Sequence, residues 1–371
     1  MPADPSGTQR LEWSRACLRD SPCAIAPRLQ RLAAAAAARG LQARRQGRPS
    51  LHRFARGQSR RCRTAGHRKP LPAAHAAAVS RRRLDRSSHM RSAITISLVP
   101  EARRGPFVFH CRQPGEASDL PTLAEACGQA AELGFDAVEI FAASGESFPA
   151  AELKDLLAAH RLSLAAVGTG AGWVCQQLSL VDPDPTVRRR AMAFIEGIID
   201  AAAGFSAPAI LGSMQGRSSK TVPLEMARQL LADALTTLGE RAARHGQVFL
   251  YEPLNRYETD LFNRQAEAAT FLEQHRLRHV RLLCDLFHMN IEEVDLAATL
   301  RDVAQHLGHV HWADSNRRAI GMGHTQAKPI VAALEAIRFR GYLSAEIFPL
   351  PAAREAASAS IGSFLSYAAR R

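Results

Sequence analysis

Four short apolar stretches in the second half of the sequence each carry one acidic or imidazole side chain. These are QVFLYEP (247–253) with Glu252, VRLLCD (280–285) with Asp285, HVHWAD (309–314) with His311, and YLSAEIF (342–348) with Glu346. Three carboxylates brought together without a cation would repel one another and raise their pKa values. Three oxygen donors and one imidazole suit a divalent ion such as Mn²⁺, Co²⁺ or Mg²⁺. The four side chains are therefore predicted to bind one divalent metal ion, with Mn²⁺ as the first choice.

The elements that must position these side chains follow a regular alternation. Short stretches typical of buried parallel strands also occur at 93–99, 136–141, 162–168 and 207–213. Amphipathic segments between the stretches predict helices over 119–133, 149–160, 184–203, 222–245, 264–274, 294–307, 326–339 and 352–369. Several of these helices are expected to end at a glycine, among them Gly134 and Gly308. Eight alternating units favour an α/β fold, a closed (β/α)8 TIM barrel.

A doubly wound sheet is the alternative to the barrel. It would need a glycine-rich, phosphate-binding turn after an early strand, and G-T-G-A-G (168–172) lacks the spacing of a dinucleotide site. In a barrel, the active site lies at the C-terminal ends of the strands. Four consecutive strands would then deliver one metal ligand each to the same rim.

Further polar residues lie near the ends of the same predicted strands. Three in the following loops are suited to binding a polyol: Glu258, His288 and Arg317. His309 is two residues from His311, so strand alternation places both on one face. His309 is expected to pack beside His311 or to support it rather than to bind the metal.

Three long motifs resemble the ketose 3-epimerase branch of the xylose-isomerase-like barrels. They are E-P-L-N-R-Y-E from Glu252, D-L-F-H-M-N-I-E-E from Asp285, and H-V-H-W-A-D-S-N-R from His309, in the order of the family. That branch includes D-tagatose and D-psicose 3-epimerases and a 5-keto-L-gluconate epimerase. A-V-G-T-G (166–170), L-S-L-V-D-P-D (178–184) and Q-G-R (215–217) are similar to the keto-gluconate type.

The resemblance implies a reaction and a role for each residue. Glu252, Asp285, His311 and Glu346 would be the metal ligands, and Glu252 and Glu346 would also exchange protons from opposite faces of the substrate. Glu258, His288 and Arg317 would contact its oxygens. The implied reaction is epimerisation of a small keto-sugar or keto-sugar acid beside its carbonyl, through an enediolate that the metal stabilises.

Two arginines bear on the choice of substrate. Arg318 stands where the keto-gluconate type tends to have an aromatic residue, and Arg217 lies at the end of the fourth predicted strand. Either cation could favour a substrate that carries a carboxylate or a phosphate, or could be a surface residue.

Other functions remain open on the same site. An aldose–ketose isomerase of the hydroxypyruvate isomerase type would use the same metal, and a non-catalytic barrel could bind a sugar. A metal-dependent abasic-site endonuclease is disfavoured, because it needs further His and Asp ligands on early strands. The predicted ends of strands one to four offer Glu139, and His110 is expected in a loop.

The net charge of +13 is concentrated in residues 1–90, which hold 20 of 48 basic and 4 of 35 acidic residues. This extension matches nothing in the family, and residues 91–371 are predicted to form the enzymatic domain. The extension could be an artefact of a start upstream of Met90, a transit peptide, or an arm for nucleic acid or another acidic surface. The remaining residues carry a net charge of −3, so nucleic acid is not the expected partner of the barrel.

Cysteine spacing and hydropathy indicate the expected compartment of the protein and whether it spans a membrane. The seven cysteines form no C-x-x-C pair, which favours reduced thiols in the cytoplasm. No run of about 20 apolar residues occurs, so no membrane span is expected. The expected partner is a small sugar or sugar acid, and a homo-oligomer is common in the family.

Overall fold

Nine parallel strands form one sheet in the computed structural model, which describes residues 89–368. They are β1 (Arg91–Ser97), β2 (Phe109–His110), β3 (Ala137–Phe141), β4 (Ser163–Gly168), β5 (Ala209–Leu211), β6 (Phe249–Tyr251), β7 (Val280–Asp285), β8 (Leu307–His311) and β9 (Tyr342–Ala345). The sheet order is β2-β1-β3-β4-β5-β6-β7-β8-β9, and β9 also pairs with β1. β1 and β3–β9 therefore close the predicted (β/α)8 barrel, which is confirmed. The predictions for the basic extension and its three cysteines lie outside the described residues.

β2 is a short strand that the sequence did not predict. It pairs in parallel with Ile96 and Ser97 at the end of β1, whereas β9 pairs with Arg91–Ile94 nearer the start. The Cys111 N–H then donates to the Ser97 carbonyl at 2.9 Å. β2 thus satisfies backbone groups that β9 does not reach. The expectation that His110 lies in a loop was wrong for this reason.

In the part of the chain that the structure describes, ten α-helices lie between or after the strands. They are α1 (Leu123–Leu133), α2 (Ala150–His160), α3 (Ala171–Gln176), α4 (Pro185–Ala203), α5 (Leu224–Arg244), α6 (Gln265–Gln274), α7 (Leu286–Glu292), α8 (Leu296–Asp302), α9 (Ala327–Ala336) and α10 (Ala353–Tyr367). Eight of them correspond to the predicted helices. α3 and α7 were not predicted, because six and seven residues are too few to establish a helical period.

Local sequence signals account for the ends of several helices. Thr122 and Glu125 form a capping box at the start of α1, and Gly134 ends it with φ of 95°. Gly308 does not end a helix as predicted, because α8 stops at Asp302 and Gly308 lies inside β8. A Cβ at Gly308 would lie 2.7 Å from the Cβ of Arg281, so close packing of β8 against β7 requires the glycine.

The barrel interior is polar near the C-terminal ends of the strands and apolar farther from them. Two buried clusters lie there in the described part of the chain, one of three alanines with a tyrosine (Ala93, Ala137, Ala165 and Tyr342) and one of aliphatic side chains (Ala166, Ile210, Leu250 and Leu283). Strand register then places polar residues nearer the C-terminal rim: Thr95 pairs with Glu139, and Asp285 pairs with His311. Within residues 89–368, no helix has the length and apolarity to cross a membrane.

Candidate metal centre

The four predicted metal ligands lie together at the C-terminal rim of the barrel. Asp285 and His311 are the last residues of β7 and β8, and Glu252 and Glu346 directly follow β6 and β9. Glu346 was predicted inside a strand, but β9 ends one residue earlier, at Ala345. One donor atom from each of the four residues lies within 4.8 Å of the others. The arrangement could hold one metal ion.

Two donor atoms at the centre of this group lack hydrogen-bond partners. Glu252 Oε1 and His311 Nδ1 are both buried and unpartnered among the described residues, and they lie 3.7 Å apart. His311 Nδ1 is also 3.6 Å from Asp285 Oδ2 and 3.5 Å from Glu346 Oε2. Unpaired buried polar atoms are costly, and a cation would satisfy both of them. The donor set therefore fits a divalent metal ion.

The electrostatics of the four residues also favour a cation. Burial raises the pKa of Glu252 well above its usual range, and the charges of Glu346 and Asp285 add to the rise while His311 opposes it. Burial alone would also raise the pKa of Asp285, but the imidazoles of His288 and His311 and the Arg317 guanidinium hold it below its usual range. These neighbours thus outweigh the effect of burial on the pKa of Asp285 but not on that of Glu252. A divalent ion would favour the ionised form of Glu252 as well.

Glu139 on β3 contacts the centre from the opposite side of the barrel. Its Oε1 is 3.1 Å from His311 Nε2, and its Oε2 is 2.9 Å from His309 Nε2. The sequence identified Glu139 only as an acidic residue on an early strand. Its connection to His311 depends on barrel closure, which brings together residues 172 positions apart. His309 shares the Glu139 carboxylate with His311 and so lies beside it as a supporting residue.

Arg317 contacts two of the four predicted ligands. Its guanidinium pairs with Glu346, lies 3.4 Å from Asp285 Oδ2, and stacks 4.8 Å from the centre of the Phe287 ring. Its backbone has φ of 56°, in a turn where its N–H donates to the Asp314 carbonyl at 2.8 Å. The turn therefore aims a cation into the centre, where it can bind an anionic or carbonyl oxygen.

His288 on α7 presents a defined nitrogen to the centre. Its Nδ1 accepts from the backbone N–H of Asn255 at 3.3 Å and lies 2.7 Å from Asn255 Nδ2. Its Nε2, 3.7 Å from Glu252 Oε1 and 3.6 Å from Asp285 Oδ2, therefore carries the proton. Asn255 also donates to Glu258 Oε1 at 2.9 Å. The sequence did not single out Asn255, which links the two predicted substrate residues His288 and Glu258.

Gln215 is a second residue that the sequence did not single out. It is fully buried after β5, where its Nε2 donates to the Glu252 carbonyl at 2.9 Å and its Oε1 accepts from the Tyr251 hydroxyl at 2.8 Å. The Q-G-R motif contains it, but the sequence gave no partner for it. Gln215 fixes the backbone that carries Glu252.

The two arginines that bear on the substrate stand apart from the four ligands. Arg217 is exposed, and the Arg318 guanidinium donates to the Leu350 carbonyl at 3.4 Å. Within the described residues, neither forms an ion pair or hydrogen bond with the four. Arg318 Nε is nevertheless buried without a hydrogen-bond partner there.

Comparisons with known proteins agree with this fold. The sequence profile of the xylose isomerase-like TIM barrel matches residues 127–364. The chain is 38% identical over 157 residues to a 3-dehydro-D-guloside 4-epimerase of Escherichia coli (strain K12), covering 40% of this chain and 60% of that protein. It is 28% identical over 222 residues to a D-psicose 3-epimerase of Ruminiclostridium cellulolyticum, covering 59% and 75% of the two chains.

A solved structure extends the similarity to the whole barrel. The 3-keto-D-glucoside 4-epimerase of E. coli, in its apo form, superposes with a TM-score of 0.61 at 25% identity. The superposition covers 75% of this chain and 99% of that one. The family that the motifs resembled is thereby confirmed, and the chain belongs to the xylose isomerase-like TIM-barrel family.

Proposed function

We propose that this chain catalyses metal-dependent epimerisation of a small keto-sugar or keto-sugar acid at a carbon beside the carbonyl. The observation that carries the proposal is the convergence of Glu252, Asp285, His311 and Glu346, with donor atoms within 4.8 Å of one another. The named activities of the two curated relatives, which epimerise sugars at C3 or C4, support the same reaction class.

The four residues would hold the ion, with Mn²⁺ preferred over Co²⁺ or Mg²⁺. When bound, the ion would supply positive charge at the substrate carbonyl oxygen, which makes the neighbouring C–H more acidic. Arg317, paired with Glu346, would donate to a substrate oxygen, and His288 Nε2–H would donate to another. Glu258, whose side chain is 40% exposed, is suited to accept from a hydroxyl at the open side.

Two carboxyl groups in one site suit inversion at carbon. One of Glu252 and Glu346 removes the proton from one face of the carbon, and the other delivers a proton to the opposite face. The net proton count is unchanged, because one carboxyl gains the proton that the other loses. General acid–base catalysis of this kind contributes about 10²- to 10⁴-fold to a rate.

The test is conversion of a substrate panel by metal-free protein with and without added Mn²⁺. Ketoses and keto-sugar acids are both included, since Arg318 Nε lacks a partner among the described residues. The expected result is Mn²⁺-dependent interconversion of epimers, with deuterium from D₂O at the inverted carbon. Aldose products would indicate an isomerase instead, and sugar binding without turnover would indicate a non-catalytic barrel. The matched control is Asp285→Ala, which should be inactive.

A further inference from the structure

Glu139 is a buried carboxylate outside the predicted ligand set. It is 4% exposed on β3, facing the barrel interior, and its two oxygens each contact one histidine of β8. The His309 and His311 rings lie 5.6 Å apart at 86° to each other, so one carboxylate can accept from both Nε2 atoms. Burying a carboxylate is costly unless such partners compensate it.

These contacts determine which nitrogen of His311 carries the proton. An ionised carboxylate only accepts hydrogen bonds, so the His311 Nε2 that faces Glu139 at 3.1 Å must be the donor. In the neutral ring, Nδ1 then bears the lone pair. That atom lies 3.5–3.7 Å from the carboxylate oxygens of Glu252, Asp285 and Glu346.

Without Glu139, His311 Nε2 would lose its hydrogen-bond partner. The ring would then no longer be fixed with Nδ1 toward the carboxylates of Glu252, Asp285 and Glu346. A carboxylate behind a metal-binding histidine commonly fixes the ring and its tautomer, and its loss costs about 10- to 100-fold in metal affinity or activity.

We propose that Glu139 is a positioning residue for the metal centre, which holds the His311 ring through Nε2 so that Nδ1 is aimed at the other three ligands. His309 anchors the second oxygen of Glu139 and so fixes the carboxylate. This inference rests on the proposed metal-dependent function, because it assigns Glu139 a role only through the ion that His311 binds.

A second ion bound by Glu139, His309 and His311 is the competing interpretation. Donor atoms of these three residues also lie within 4.8 Å of one another. However, both Nε2 atoms already have Glu139 as a partner at hydrogen-bond distance. The cluster is therefore satisfied without an ion, unlike the centre beside it.

The experiment compares Mn²⁺ affinity, by calorimetric titration of metal-free protein, for the wild type, Glu139→Ala and Glu139→Gln. Glu139→Ala should weaken binding by about 10- to 100-fold. Glu139→Gln should weaken it less, because the amide oxygen still accepts from His311. Both variants should regain activity toward the wild-type level at saturating Mn²⁺.

The matched control is Asp136→Asn, which alters a carboxylate immediately before β3. Asp136 Oδ2 accepts from the Ser92 N–H and hydroxyl at 3.0 Å, near the opposite end of the barrel. This variant should lower the melting temperature without changing the Mn²⁺ affinity. If Glu139 had only a structural role, Glu139→Ala would likewise lower the melting temperature and leave the Mn²⁺ affinity unchanged.

Three results would overturn the inference. The first is a wild-type Mn²⁺ affinity in Glu139→Ala. If the alanine variant does not fold, a wild-type Mn²⁺ affinity in Glu139→Gln has the same meaning. The third is a second ion per chain that is lost in His309→Ala. Failure of the wild type itself to bind Mn²⁺ would instead remove the proposed function, so the two failures are distinguishable.

Discussion

The two halves of the barrel have the same architecture but end in different side chains. The early strands β1, β3, β4 and β5 end in Ser97, Phe141, Gly168 and Leu211. At the ends of the late strands β6–β9 lie Glu252, Asp285, His311 and Glu346. The candidate chemistry is therefore concentrated in the late half of one symmetric scaffold.

The early half contributes through hydrogen bonds to the late half. Glu139 on β3 contacts His309 and His311, and Gln215 after β5 contacts the Glu252 carbonyl. Neither residue is among the four predicted ligands. The comparison indicates that the residues at the ends of β6–β9 are expected to bind the metal ion and react. Glu139 and Gln215 from the early half are expected to hold them in place.

The largest expected effect is in the late half. Glu252→Gln and Glu346→Gln should each reduce epimerisation by about 10²- to 10⁴-fold, because each removes one of two proton-transferring groups. Steady-state turnover measures the loss. Proton exchange with D₂O should persist only where the remaining carboxyl can act alone. Wild-type rates of both turnover and exchange in either variant would exclude the two-carboxyl scheme.

A matched pair of amide residues sharpens the contrast between the halves. Asn255→Ala leaves the His288 ring without its side-chain partner, so we expect kcat/KM to fall by about 5- to 150-fold, equivalent to about 1–3 kcal/mol. Gln215→Leu leaves the Tyr251 hydroxyl and the Glu252 carbonyl unpaired, so it should mainly lower the free energy of unfolding, by about 1–3 kcal/mol. Kinetics and urea denaturation of both variants provide the measurements. A larger kinetic effect in Gln215→Leu would contradict the division.

The loop after β8 gives a prediction for acid stability. The buried Asp314 carboxylate accepts hydrogen bonds from the backbone N–H groups of Ser315, Gly321, Gly323 and Thr325. Burial alone would raise the pKa of Asp314, but these donors hold it below its usual range. A lowered pKa contributes stability above the unfolded value of about 3.9, and this contribution is lost as the pH falls through the folded value.

Asp314→Asn should therefore destabilise the barrel by about 1–3 kcal/mol near neutral pH. The difference from the wild type should shrink as the pH falls below about 4. Urea denaturation across pH measures it. A difference that stays constant down to the acid limit would show that the charge of Asp314 contributes nothing.

The smallest expected effect concerns the residues before the barrel. Predicted to be separate from the enzymatic domain, residues 1–89 can be removed so that the chain begins at Met90. Melting temperature and turnover should then match those of the full chain. A large fall in melting temperature or in turnover would show that the enzyme needs residues 1–89, and would overturn the predicted domain boundary.

The barrel could be predicted from sequence because each βα unit signals itself locally, through a short apolar stretch and a longer amphipathic one. The grouping of Glu252, Asp285, His311 and Glu346 followed from the rule that parallel strands of a barrel end at one rim. β2, α3 and α7 escaped prediction because they are too short for a period to appear.

The residues that support the site could not be predicted in the same way. Glu139, Gln215 and Asn255 contact partners that are 33 to 172 residues distant in sequence. Their side chains carry no spacing signal, since their roles arise only when the barrel closes. Arg318 shows that closeness in sequence does not place a residue at the site. It is adjacent to Arg317, but its guanidinium donates a hydrogen bond to the Leu350 carbonyl and not to the metal centre.

The central claim is that four late-half side chains hold one divalent ion, and a titration of metal-free protein with Mn²⁺ tests it most directly. The wild type should bind one ion per chain, and Asp285→Ala should bind none at the same concentrations. Absence of binding by the wild type, or equal binding by Asp285→Ala, would contradict the account.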